Sequence, residues 1–190
     1  MKNHFERLLD LPEEKINHTM IYDNHNNLYL IGGNTNSILK YNLDNQKWIK
    51  LNLKLNYLRN NPMCFIKENN LYVFWGKNDL NYYVTSIEKG DLNSKNEFMD
   101  IINKDYIHLI NSTIIQSDKD NLFFFGGKNE NGIIKTVMRY NFNNNYLETT
   151  PFNLKEGSIF HQCILPRLNK DTFGNFGLDV GMSFVKININ

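Results

Sequence analysis

The sequence predicts an all-β fold made of repeated four-stranded units, and three observations carry that prediction. One short apolar run closed by glycine occurs three times, as Asn27–Gly33, Asn70–Gly76 and Asn121–Gly127. Further β-rich segments flank each run at matching intervals. The composition also disfavours helices: alanine, the best helix former, is absent, and asparagine, which prefers turns and caps, occurs 33 times. Such a bias makes asparagine weak evidence at any one position.

The glycine-closed runs are too short for independent helices and suit strands buried on both faces. Their terminal glycines permit unusual backbone angles or the close approach of a neighbour. A first strand precedes each run, at Thr19–Tyr22, Pro62–Phe65 and Thr113–Gln116. The links Asp23–Asn26, Ile66–Asn69 and Ser117–Asp120 are short and mostly polar, as in hairpins. A third strand follows each glycine end, at Ser37–Leu43, Val84–Gly90 and Thr136–Phe142. Polar turns at Asp44–Asn45, Asn93–Asn96 and Asn143–Asn145 then lead to a fourth strand opened by an aromatic residue. These fourth strands are Trp48–Leu51, Phe98–Ile101 and Tyr146–Thr149. Four strands in about 45 to 50 residues is the period of a propeller blade.

The chain ends fit the same frame. Phe5–Leu8 copies a fourth strand, and Phe5 precedes Met20 by 15 residues, the interval from Trp48 to Met63 and from Phe98 to Thr113. Asp171–Gly177 reads as a degraded second strand, and Ser183–Ile189 copies Ser37–Leu43. One domain over 1–190 is therefore expected, with blades over 18–52, 61–102, 111–150 and 158–190, the last completed by residues 4–9. That closure removes an open sheet edge. The other reading is an arc of a larger propeller, which a second copy would complete as a homodimer.

The first repeat carries Gly32 and Gly33 ending the second strand, Tyr41 on the third and Trp48 on the fourth. The third repeat keeps Gly126, Gly127 and Tyr140, with Tyr146 in the tryptophan place. The second has Trp75-Gly76 for the doublet, Ile87 for the tyrosine and Phe98 for the tryptophan; the last keeps Gly177 and Ile187. In this order of residues the chain resembles the kelch repeat over nearly its whole length. The resemblance implies a β-propeller of about four antiparallel four-stranded blades and, most often in that family, a protein-binding platform. A few kelch-like propellers are enzymes, among them copper-radical oxidases and sugar-acid isomerases.

Composition narrows the function classes. The formal charge of +1, from 21 basic and 20 acidic residues, argues against a nucleic-acid-binding module. Aromatics at 13% argue against disorder. No apolar run is long enough for a membrane-spanning helix, and the first twelve residues hold no apolar signal core, so a cytoplasmic protein is expected. The histidines at 4, 18, 25, 108 and 161 form no HExxH, and Cys64 and Cys163 form no CxxC. Both cysteines fall in first strands and read as small buried hydrophobes. Neither GxSxG nor GxxxxGK[ST] occurs, so no catalytic residue, metal or cofactor is expected. Asn17-His-Thr19 and Asn111-Ser-Thr113 are formal glycosylation sequons at equivalent repeat positions, with Asn60 in the same register, and read better as side-chain caps of turns.

Function is then expected on loops. In kelch-like propellers the second-to-third strand loops and the fourth-to-first connections share one face. That resemblance places Asn34, Arg59, Lys77, Tyr82, Tyr106 and Lys128 there as candidate binding residues. Arg and Tyr are typical interface anchors. The expected function is non-enzymatic binding of a protein or peptide. The alternatives are a small propeller enzyme acting on a sugar or sugar acid, and a structural subunit or degenerate fragment.

Overall fold

Each glycine-closed apolar run forms the second strand of a four-stranded antiparallel sheet. The computed structural model describes residues 9–94, 98–101 and 107–159, and these contain strands without helix. The chain divides into two compact units, Met1–Ile110 and Asn111–Asn190. The first unit holds two sheets. One consists of β1 (His18–Tyr22), β2 (Asn27–Gly32), β3 (Ser37–Asn42) and β4 (Lys47–Lys54), in that spatial order. The other consists of β5 (Met63–Lys67), β6 (Asn70–Phe74), β7 (Ile87–Asp91) and β8 (Met99–Ile101). The second unit holds β9 (Thr113–Gln116), β10 (Asn121–Phe125), β13 (Thr136–Asn141) and β14 (Tyr146–Asn153). A ribbon of β11 (Lys128–Asn129) and β12 (Gly132–Ile133) interrupts its second-to-third strand loop. The closing strand expected over 4–9 and most of the blade over 158–190 lie outside the described residues.

The observed register corrects the repeat alignment in three places. Ile31 pairs with Ile38, Phe74 with Ile87 and Phe125 with Val137, so Tyr41, Gly90 and Tyr140 occupy one position. The tyrosine place in the second repeat therefore belongs to Gly90, not Ile87. The longer connection before β7 delays that strand. Tyr41 faces Trp48 and Tyr140 faces Leu147, so Leu147, not Tyr146, holds the tryptophan place. Leu147 is buried while Tyr146 is exposed. The third correction concerns asparagine. The β5–β6 hairpin turns within two residues, Glu68 and Asn69, which shifts the register by one. Asn61, not Asn60, thus matches Asn17 and Asn111, and these three share φ values of 51, 52 and 57°. The left-handed backbone, which asparagine tolerates, explains the recurrence better than side-chain capping.

Between the two sheets of the first unit, Tyr29, Ile31, Ile38, Leu53 and Leu55 pack with Cys64, Leu71, Val73 and Phe98. Burial pushes the Cys64 thiol up, consistent with a packing role. Cross-strand pairs recur on the sheets: the Lys40 ammonium lies 5.7 Å from the Tyr29 ring centre and that of Lys89 5.4 Å from Tyr72. Phe123 pairs with Arg139 at the same place in the second unit.

The β1–β2 and β9–β10 hairpin turns are held by aspartate. Asp23 Oδ1 accepts the backbone N–H groups of His25 and Asn27, and Asp118 Oδ1 accepts those of Asp120 and Asn121. Asn42 and Asn141 then donate their side-chain amides to Asn27 and Asn121. Burial works to raise the two aspartate carboxyls, but these hydrogen bonds outweigh it and hold both below the usual range. Because the unfolded chain binds those protons more readily, the stability they contribute is full above roughly pH 4 and is lost as pH falls through the depressed values. Acid unfolding of Asp23→Asn and Asp118→Asn variants is accordingly expected to show a weaker pH dependence than the parent chain; equal slopes would refute the assignment.

Candidate functional site

The glycine end of the first unit is built on close backbone approach. Gly33 N donates to Arg59 O at 2.7 Å, and Asn60 and Lys77 exchange backbone hydrogen bonds of 2.6 and 2.8 Å. Gly32 and Gly33 have φ of 72 and 88°. A Cβ on Gly32 would stand 2.5 Å from Arg59 O, and one on Gly33 would stand 2.5 Å from Ile16 O. The doublet therefore lets neighbouring chain segments cross the strand end. Lys15 secures the adjoining β2–β3 turn. Its buried ammonium donates to Gly32 O (3.0 Å), Thr35 Oγ1 (2.8 Å) and Ser37 O (2.9 Å), with Glu13 at 3.3 Å.

Arg59 corrects the expectation of a solvent-facing anchor. Its side chain and that of Glu88 are both 0% exposed. Arg59 Nε donates to Glu88 Oε1 at 2.7 Å, and Nη1 donates to the backbone oxygens of Trp75 (2.7 Å) and Ser86 (2.9 Å). Nη2 donates to Ser86 Oγ at 2.7 Å, and Asn56 N donates to Glu88 Oε2 at 2.6 Å. Burial pushes the Glu88 carboxyl up, while Arg59 and the Asn56 N–H favour its charged form. The network fastens the β4–β5 connection to β7. Sequence reading missed it, although a signal was present: Glu88 holds the place that the buried Leu39 and Met138 hold in the other sheets.

The exposed part of this end is the β6–β7 turn. Asn78 Oδ1 accepts the N–H groups of Leu80 (3.1 Å) and Tyr82 (2.9 Å). Asn78 N also donates to Tyr82 O at 2.9 Å, and Asn81 N to Asn78 O at 3.0 Å. The turn so fixed displays Leu80 at 70% and Tyr82 at 68% exposure. Behind it, the Lys77 ammonium lies 4.6 Å from the Tyr83 ring centre and 3.0 Å from Asn81 Oδ1. The Tyr83 and His108 rings pack in a tilted arrangement, with centres 4.5 Å apart and planes 35° from parallel. Asn34 is exposed on the neighbouring β2–β3 turn. Asn34, Lys77 and Tyr82 thus stand at the glycine ends of the first unit's two sheets. Lys128 is exposed on β11 of the second unit, and Tyr106 lies outside the described residues. Leu80 was missed; its signal is a lone apolar residue at the tip of Asn78–Asn81.

At the opposite strand ends, a cavity of about 190 Å³ lies in the first unit, lined by Asp23, His25, Tyr29, Lys40, Glu68 and Asn93 among others. Burial and the Asp23 carboxylate push the Tyr29 phenol up. Among the described residues no group of three His, Cys, Asp or Glu side chains could hold a metal ion, and no helix is long and apolar enough to cross a membrane.

No family model and no curated protein matches this chain. Its structure is similar to the solved structure of YjhT, a β-propeller-like fold, with a TM-score of 0.66 and 14% identity. The likeness covers 79% of this chain and 56% of that one, so the chain spans little more than half its neighbour's length. Together with the open four-stranded antiparallel sheets, it shows an all-β fold of propeller type.

Proposed function

We propose that this chain is a kelch-type interaction module that binds a protein or peptide partner through the glycine end of its first unit, without chemistry of its own. One observation carries the reading: Leu80 and Tyr82 project from a turn whose backbone is already fixed by Asn78. Tyrosine is a preferred anchor because it offers large contact area for little lost side-chain freedom. A preformed turn also avoids the ordering penalty that a loose loop would incur on binding. Lys77 adds a cation beside the anchors, and Asn34 adds polar contact from the adjoining turn. Arg59 serves indirectly, by holding the connection beneath them. The free, buried Cys64 suits a reducing compartment, and the reading places the protein in the cytoplasm.

The test is affinity capture with the double variant Leu80→Asp/Tyr82→Ala beside the parent chain, with thermal unfolding as a control. Loss of the parent's partners at unchanged melting temperature is expected. Recovery of the same partners at the same yield would show that another surface binds them.

A further inference from the structure

We propose that Asn131, at the tip of the β11–β12 ribbon, is a site of spontaneous deamidation that converts a neutral side chain into a carboxylate. The inference is independent of the binding surface proposed above. The sequence contains one Asn-Gly step, and it is Asn131-Gly132. Lys128 pairs with Ile133 and Asn129 with Gly132, leaving Glu130 and Asn131 as the turn. Gly132 has φ of 114°, and an added Cβ there would meet no atom within 4 Å. Asn131 is exposed, and its N–H donates to Asn129 Oδ1 at 2.9 Å. Its side-chain amide makes no hydrogen bond among the described residues.

These features match what the chemistry requires. The Gly132 backbone nitrogen attacks Asn131 Cγ and loses its proton; an N–Cγ bond forms, the Cγ–Nδ2 bond breaks, and Nδ2 takes up a proton and leaves as ammonia. The resulting five-membered imide is opened by water at either carbonyl, giving aspartate or isoaspartate. No electrons are exchanged. Glycine favours the attack because no side chain shields its nitrogen, and asparagine is among the residues that limit long-term chemical stability. Several other asparagines have restrained amides, as three examples show. The Asn36 amide is held by Leu55 O at 3.2 Å, and the Asn27 and Asn121 amides donate to Asp23 and Asp118. At residue 131 the product places a new negative charge beside Glu130 and near Lys128. The isoaspartate branch also adds a methylene to the main chain, in a ribbon whose strands are two residues each.

The test incubates the folded full-length chain for days in mildly alkaline buffer, followed by peptide mapping and enzymatic labelling of isoaspartate. The peptide carrying residue 131 is expected to gain about one dalton before any other asparagine peptide does. Asn131→Gln should abolish both that gain and most of the labelling while leaving the melting temperature unchanged. The proposal is overturned if the folded chain stays unmodified at Asn131 while the urea-unfolded chain deamidates there, or if another asparagine reacts first.

Discussion

Replacing Arg59 with methionine is expected to destabilise the first unit by about 3–5 kcal/mol, the range for removing one partner of a buried ion pair. The loss arises because the Glu88 carboxylate is left buried, with only the Asn56 N–H to satisfy it. Trp75 O and Ser86 O also lose the Nη1 donor. Substituting both charges, Arg59→Met with Glu88→Leu, is expected to recover most of the loss, since a well-packed apolar pair is often no worse than the ion pair it replaces. Urea unfolding of both variants measures this. A single variant that loses less than about 1 kcal/mol would place the pair in water, in the range typical of exposed pairs.

The second large effect is at Phe98. Truncation to alanine is expected to cost about 3–5 kcal/mol, as for other buried aromatics. Phe98 supplies the ring that Tyr41 and Tyr140 supply in the other sheets, because Gly90 has none. A Cβ built on Gly90 would stand 2.8 Å from the Phe98 ring. Gly90→Ala alone should therefore destabilise, whereas Gly90→Tyr combined with Phe98→Ala should restore part of the loss by returning the ring to the third strand. Contacting residues couple by about 0.5–3 kcal/mol in double-mutant cycles. Strictly additive thermal or urea data would mean that Gly90 and Phe98 do not share one space.

The repeat of four strands was legible because apolar runs, polar turns and glycine ends recur at matching intervals, and each of those signals is local. All the strands expected within the described residues form. What the sequence concealed depends on register and on partners far apart in the chain. Ile87 falls in the tyrosine place by sequence spacing alone, whereas the long β6–β7 connection delays β7 and puts Gly90 there. Arg59 read as a loop cation because its partner, Glu88, lies 29 residues away. Nothing near Lys15 in sequence indicates that Gly32, Thr35 and Ser37 receive its ammonium, 17 to 22 residues away. Tyr82 and Asn34, whose exposure follows from turn chemistry alone, stand on exposed turns as expected.

The outer strands carry a further consequence. Register shifts at Ser37/Leu39 and Thr136/Met138 recur at equivalent places, and the partner strands β4 and β14 each run eight residues. Among the described residues these are the last strands of their sheets. Long margins of that kind invite edge-to-edge association between molecules. The exposed Lys47 and Lys54 on β4 and Pro151 on β14 disfavour such pairing, since like-charged ammonium groups would meet in a second copy and proline offers no N–H to continue a ladder, while the Lys50 ammonium is paired with Glu13. Behaviour at high concentration therefore draws on side chains along these margins, and Lys54, paired with Ser37, carries that protection up to the glycine end itself.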